Sequence, residues 1–395
     1  MKISDRLTNL TPSGSDGWEI IYETDRLRRA GQEIIALTVG EHDVPTNPRI
    51  LNAMHQSAVN GATGYTAVGG LPALRSAIAA RIARRTGVET GPQNILVTPG
   101  GQAALFAAHM AVLDPNDEAL YISPSYATYP GTIRAAGGHP VEVHSDPNTG
   151  FPPPIQAIEA ATQKARSLLI NTPNNPTGTV YDASALAKLG KLCKERDLWL
   201  ISDEVYDTMI WSGNFISARQ ECDPERTLIV GSMSKSHAMT GSRIGWLCGP
   251  AELIAHLENL ATHTTYGLPA YIQDAAIAGF ELGTEFEKEV AAPFLRRREI
   301  ALAQFDELQL LKVIPPQSGM YVMVDIRETG LCGQQFATQL LHQYSVAVMP
   351  GESFGASAAG HIRIALTAKD DLLREAIGRI GEFVSKLERT KIGAK

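Results

Sequence analysis

Charge, aromatic side chains and cysteine are all scarce in this sequence. Only 19% of its 395 residues are charged and 6% are aromatic, and there are four cysteines. No apolar run approaches the roughly 18 residues that a membrane-spanning helix needs. The opening MKISDRLTNLTPSG lacks the apolar core of a secretory signal. Together these absences predict a cytoplasmic protein with no membrane contact. Positive charge is in deficit too: 35 Lys and Arg against 42 Asp and Glu give a formal charge of −7, which argues against nucleic acid as a partner. The densest basic patches, ARIARR at 80–85 and LRRRE at 295–299, fall in helical patterns and read as solvated faces. Cys193, Cys222, Cys248 and Cys332 show no C-x-x-C spacing, so they read as reduced structural thiols and no metal site is expected.

What is present is a globular composition, 44% hydrophobic with 35 Gly and 23 Pro, in a chain longer than one average domain of about 100–200 residues. The middle repeats one grammar: a short apolar run, a polar or glycine-rich turn, then often a helix-period segment. The runs are ILVT (95–98), ALYIS (119–123), SLLIN (167–171), LWLIS (198–202) and TLIVG (227–231), with helical stretches such as 183–196 between them. Strands alternating with helices predict an α/β fold built on a doubly wound, mostly parallel sheet covered on both faces. The ends differ. Trp18 to Ala30 reads as a helix stopped at Gly31, and LTVGEHDVPTNP (37–48) as a loop. From Phe286 a helix is followed by strand-like MYVMVD, VAVMP and HIRIAL, and the last helix places Leu373, Ile377, Ile380, Val384 and Leu387 on one stripe. The predicted organisation is an arm with part of a small domain over 1–45, a large domain over 46–285, and a small α+β domain completed by 286–395.

In such sheets ligands bind beyond the carboxyl ends of the strands. The residues there are PGGQ, PSY, TPNNPTG, DEVY and SMSK, one set after each run. Each alone is an acceptable turn. Their coincidence at one edge points to a shared site. In GSMSKSHAMTGSR, Lys235 sits among small and hydroxyl residues with Arg243 nearby; such surroundings lower a lysine's pKa and make it a nucleophile, although a surface lysine in a Ser/Gly loop has the same look. The segment is not a P-loop, because Ser234 precedes the lysine, and PGGQAAL is not a G-x-G-x-x-G fingerprint. A glycine pair opening a helix does favour an anion. Asp203, at the end of its run, is a turn or cap residue unless the cofactor is pyridoxal phosphate, whose ring nitrogen requires an acid beside it. Tyr206 and Asn175 could then reach the ring's phenolic oxygen. Arg363 in HIRIAL suits a carboxylate, or an ordinary salt bridge.

Taken together, SMSKSHAMTGSRIGW, NTPNNPTG, SDEVY and GYTAVGGLPALRSAI resemble the class I aminotransferases of the aspartate aminotransferase fold, over about residues 20–385. The resemblance implies pyridoxal 5′-phosphate held as a Schiff base on Lys235, with Asp203 at the ring nitrogen and Tyr206 and Asn175 at the phenolic oxygen. It implies a phosphate held by Gly101, Gln102, Ser232 and Arg243, and a ring stacked on Tyr126. It implies that Tyr65 reaches the phosphate of a neighbouring subunit, hence a homodimer with shared active sites. Arg363 would bind the substrate α-carboxylate beneath a strap carrying Gly40. Where the family usually reads Gly-Glu-Pro-Asp this chain has Gly40, Glu41, His42 and Asp43, and several members carry tryptophan at the place of Tyr126. The implied substrates are an amino acid and a 2-oxo acid, arginine to pyruvate or aspartate or an aromatic amino acid to 2-oxoglutarate. For an arginine side chain, Asp16 and Glu19 are the carboxylates on the N-terminal segment. The same scaffold also supports carbon–sulfur β-lyases.

Overall fold

The computed structural model describes residues 1–12 and 17–393. Among them lie strands β1 (Ile35–Leu37), β2 (Ile95–Thr98), β3 (Glu118–Ser123), β4 (His139–His144), β5 (Ala165–Asn171), β6 (Trp199–Asp203), β7 (Thr227–Ser232), β8 (Gly245–Cys248), β9 (Lys312–Ile314), β10 (Tyr321–Asp325), β11 (Val346–Pro350) and β12 (His361–Ala365). Seven of them make one sheet in the order β2-β8-β7-β6-β5-β3-β4. All its neighbours are parallel except β8, which runs antiparallel between β2 and β7. The expected mostly parallel α/β sheet is met, and the five apolar runs are β2, β3, β5, β6 and β7.

These strands are apolar throughout because both faces are covered. Alternation still sorts the residues: Leu168, Ile170 and Leu200 join the core beneath helices Pro72–Thr86 and Ala183–Glu195, while Leu169, Ile201 and Val230 join the one beneath Gly101–Val112 and Ala251–Thr262. Two strands of this sheet were not foreseen. β4 contains a proline and is an edge strand with mixed burial, so it carries no apolar run. β8 is the four residues GWLC; a Cβ on its Gly245 would lie 2.5 Å from the Gly100 carbonyl carbon, so a glycine there lets two backbones meet.

The second sheet has the order β1-β11-β12-β10-β9, with β1 and β11 parallel and the other pairs antiparallel. Its core joins the chain's two ends: Ile20, Leu27 and Leu37 pack with Val322, Val324, Ile362 and Ile364. The closing helix Asp370–Gly393 buries Leu373, Ile377, Ile380 and Val384 there, with Leu387 partly covered, as its stripe predicts. The expected first helix is Glu19–Arg29, and that from Phe286 begins earlier, at Gly283, and runs through Pro293 to Phe305. The segment expected as a loop from Leu37 instead starts on β1, whose partner β11 lies some three hundred residues away and leaves no local trace.

The basic patches depart from expectation. Arg81 and Arg297 are 5% and 4% exposed, not solvated. Arg81 is held by Asp207 at 2.9 Å and Glu287 at 3.0 Å, and Arg297 by Asp43 at 2.6 Å and Asp370 at 3.0 Å. The four cysteines are free, three of them buried. Among the described residues no helix is long and apolar enough to cross a membrane, and no group of His, Cys, Asp and Glu could hold a metal ion.

Candidate active site

The carboxyl ends of β2, β3, β5, β6 and β7 converge on a cavity of about 290 Å³. The small sheet closes its other side with Tyr321 of β10 and Arg363 of β12. Of the residues singled out in the sequence, Gly40, Gly101, Gln102, Tyr126, Asn175, Asp203, Tyr206, Ser232, Lys235, Arg243 and Arg363 all line this space. Tyr65 does not. It is 91% exposed, edge-on to Tyr266 at 5.2 Å.

Lys235 sits on a single helical turn, Met233–Ser236, that opens as β7 ends; the Ser232 hydroxyl caps the turn by accepting from the Ser234 N–H at 3.1 Å. Its Nζ donates to the Gly40 carbonyl. Burial pushes its pKa down, and the nearby Arg363 and Arg243 add to that while Tyr321 and Glu41 oppose it. Asp203, the last residue of β6, is buried and accepts from the Tyr129 hydroxyl at 2.8 Å and the Val205 N–H at 3.3 Å. Burial raises its pKa to about 6, against the pull of those two hydrogen bonds. The buried Tyr206 hydroxyl lies 3.1 Å from that of Tyr321.

Arg363 is 1% exposed, yet among the described residues no carboxylate meets it. Its guanidinium donates to Asn175 Oδ1 at 2.9 Å and to the Thr38 carbonyl, is stacked between Tyr321 and Phe354 at 4.2 and 4.4 Å, and leaves Nε without a partner. The salt-bridge alternative is therefore wrong. A buried, uncompensated cation is costly and calls for an anion from outside.

A second anion cradle lies at the start of helix Gly101–Val112. Its free N–H groups face the same space as the Ser232 and Ser234 hydroxyls and Arg243. Arg243 donates to the carbonyls of Thr240 at 2.8 Å and Pro99 at 3.3 Å. It lies so close to Gly100, at φ +81°, that a Cβ there would sit 2.2 Å from its Nη2. The Gln102 side chain is turned to Thr128 and Thr132, which leaves only its backbone for an anion.

The strap follows β1. A Cβ on Gly40 would fall 1.8 Å from the Tyr321 hydroxyl, so only glycine passes. Glu41 accepts from the Thr240 hydroxyl at 2.9 Å. The His42 ring packs edge-on against Phe294 at 5.1 Å with neither nitrogen partnered; burial first, then Lys235, pushes its pKa down to about 4. Arg297 clamps Asp43 with two bonds of 3.0 and 2.6 Å, so the strap is anchored where the usual proline is missing. Of the two carboxylates considered for an arginine side chain, Asp16 lies outside the described residues, and Glu19 is exposed and absent from the lining. Trp18 beside it does line the cavity, edge-on to Tyr126 at 6.3 Å.

Four contributors escaped the sequence reading: Tyr129, Asn171, Tyr321 and Phe354. Tyr129 and Asn171 carried a signal, standing three residues past Tyr126 and at the end of SLLIN. Asn171 pins the asparagine loop by accepting from the Asn175 N–H at 2.7 Å and donating to the Asp203 carbonyl at 2.9 Å. Tyr321 and Phe354 come from the distant small sheet.

A family profile described as aminotransferase class I and II matches residues 32–380. The chain is 39% identical over 391 residues to the arginine–pyruvate transaminase of Pseudomonas aeruginosa, covering 98% of this chain and 99% of that protein. It is 35% identical over 364 residues to the aspartate/prephenate aminotransferase of Thermus thermophilus, covering 91% and 93%. The fold matches T. thermophilus aspartate aminotransferase, solved with maleate, at a TM-score of 0.91 and 34% identity, over 97% of this chain and 99% of that one. The chain belongs to the class I and II aminotransferases, and its chemistry is the transfer of amino groups.

Proposed function

We propose that this enzyme uses pyridoxal 5′-phosphate to pass the amino group of an L-amino acid to a 2-oxo acid. One observation carries the reading: an aspartate and an arginine are buried, and a lysine is half-buried, around one cavity with no ion pair among them. That pattern is unfavourable unless each side chain has an external partner. The residues fit the cofactor. Its phosphate would be held by the backbone of Gly101 and Gln102, the Ser232 hydroxyl and Arg243, and its ring by Tyr126. Asn175 and Tyr206 would hold the phenolic oxygen, and Asp203 the protonated ring nitrogen. When bound, the cofactor supplies an electron sink for the substrate carbon that loses its proton. Arg363 grips the α-carboxylate and so orients Cα toward Lys235. Lys235 would anchor the cofactor and, as a free base, would take the Cα proton. Its depressed pKa suits that task, because an ammonium could not accept the proton.

The donor and acceptor are arginine and pyruvate, as in the name of the Pseudomonas relative, or aspartate or an aromatic amino acid with 2-oxoglutarate. The working unit is a cytoplasmic homodimer in which the exposed Tyr65 reaches the neighbour's phosphate. The large domain spans 46–285, flanked by 1–45 and 286–395. Lys235→Ala should fold and bind cofactor yet lose turnover, and borohydride should label the peptide carrying residue 235 in the wild type. Retained transamination in the variant, or label on another peptide, overturns the proposal. Release of pyruvate and ammonia with no acceptor present would instead identify a β-lyase.

A further inference from the structure

His42 stands where the family usually carries a proline, and its setting asks for a reason. Both ring nitrogens are shut off from solvent within this one chain and neither has a hydrogen-bond partner among the described residues, so a second subunit cannot supply what they lack. Such a group costs free energy, and a protein that keeps one does so for a function. The ring packs edge-on against Phe294 of helix Gly283–Phe305 at 5.1 Å and lies beside Lys235. The charged groups that act on it are Lys235, Arg297 and Asp43, and Arg297 already clamps Asp43 at 2.6 and 3.0 Å. Burial first, then Lys235, pushes its pKa from the usual 6.5 down to about 4, so the ring is uncharged at neutral pH.

The same stretch of chain is stitched to the loop that follows the lysine. The Gly40 carbonyl accepts from Lys235 Nζ, Glu41 accepts from the Thr240 hydroxyl at 2.9 Å, and the Thr46 hydroxyl donates to the Ala238 carbonyl at 2.6 Å. Ala238 is a place that profits from being held, since at φ +52° it occupies the left-handed region that a side chain disfavours. On the functional reading above, on which this inference rests, Lys235 must anchor the cofactor and move a proton, and a small displacement of its amine slows the second task steeply. We propose that His42 is a positioning residue for Lys235: its ring, wedged between Phe294 and the lysine's turn, holds Met233–Ser236 against the strap and so keeps the amine aimed into the cavity.

The test compares His42→Ala, which removes the wedge, with His42→Phe, which keeps an uncharged ring. In the cofactor-free protein, reductive methylation of Lys235, followed by mass spectrometry, should run several-fold faster in His42→Ala than in the wild type, and His42→Phe should restore the slow rate. In the cofactor-loaded enzyme, kcat of His42→Ala should fall about tenfold with KM within about twofold, the donor being whichever of L-arginine, L-aspartate and L-phenylalanine the wild type converts fastest. The same donor deuterated at Cα should show a larger isotope effect in His42→Ala, because proton transfer alone is slowed; a merely loosened fold lowers the active fraction and leaves the isotope effect where it was. Should the alanine variant not fold, Thr46→Val releases the same loop at another stitch and should speed methylation of Lys235 in the same sense. Lys235 methylated at the wild-type rate in the folded variants, or His42→Phe impaired as much as His42→Ala, would overturn the inference. If no donor converts the bound cofactor, the functional reading falls; if donors convert it and the methylation rates are equal, this inference alone falls.

Discussion

Asp203 and Asp207 stand four residues apart on one segment and live in opposite electrostatic worlds. Asp203 faces the cavity, meets a tyrosine hydroxyl and a backbone N–H, and burial raises its pKa to about 6. Asp207 faces the other way. Burial would raise it as well, but Arg81 and Arg85 hold it below the usual carboxylate range. In the second constellation the charges cancel: Arg81 and Arg85 against Asp207 and Glu287, at 2.9 to 3.6 Å. In the first, no ion pair among the described residues cancels Lys235, Asp203 or Arg363. A protein keeps a buried cluster of paired charges for its architecture and a buried set of unpaired ones for a ligand.

The contrast can be tested by exchanging one group at a time. Asp203→Asn should cut turnover by roughly 10²–10³-fold while the fold survives. The sign for stability is opposite to the loss of activity. The native carboxyl, raised to about 6 from its ordinary 3.8, holds a proton that the unfolded chain has released, so without cofactor stability falls as pH rises from about 4 to 6 and stays low above. The asparagine variant lacks that penalty, and cofactor-free thermal melts at pH 5 and 8 would reveal it. Asp207→Asn should do the reverse. It leaves Arg81 and Arg85 with Glu287 as their one carboxylate partner among the described residues and costs about 3–5 kcal/mol of stability in denaturant titrations, while folded protein keeps most of its activity. Unchanged stability there would erase the distinction drawn between the two aspartates.

Arg363→Lys probes the unpaired set more gently. Lysine keeps the charge but loses the two-pronged grip, so KM for the amino acid should rise about 10–100-fold with a smaller change in kcat. The smallest effect is expected away from the site. His109 is fully buried with neither ring nitrogen partnered, and burial pushes its pKa down to about 4. The unfolded chain takes up a proton near pH 6.5 that the native ring refuses, so the native state is undiminished above about 6.5 and loses stability between 6.5 and 4. His109→Leu should remove on the order of 1–3 kcal/mol of that acid sensitivity, seen as a smaller gap between melts at pH 8 and pH 5.

Much of this was legible along the chain. The five strands carrying Gly101, Tyr126, Asn175, Asp203 and Lys235 are continuous apolar runs, because a parallel strand covered on both faces must be apolar at every position. The turn that follows each run is then fixed in place, which is why motifs spread over more than a hundred residues meet at one edge. What stayed hidden came from long-range pairing. ARIARR has the look of a solvated face, and only the approach of Asp207 and Glu287 turns Arg81 inward. HIRIAL shows an arginine on a strand. That the arginine is buried without a counter-ion follows from Tyr321 and Phe354 closing over it.

Five of the seven strands of the large sheet, the chemistry at their ends and the family were legible along the chain, since all three rest on local runs and the short motifs that follow them. Tertiary structure alone decided which charges would be paired. Pairing depends on distances of a few ångströms between segments far apart in the chain, and in a buried place those distances separate a structural ion pair from a side chain left waiting for substrate.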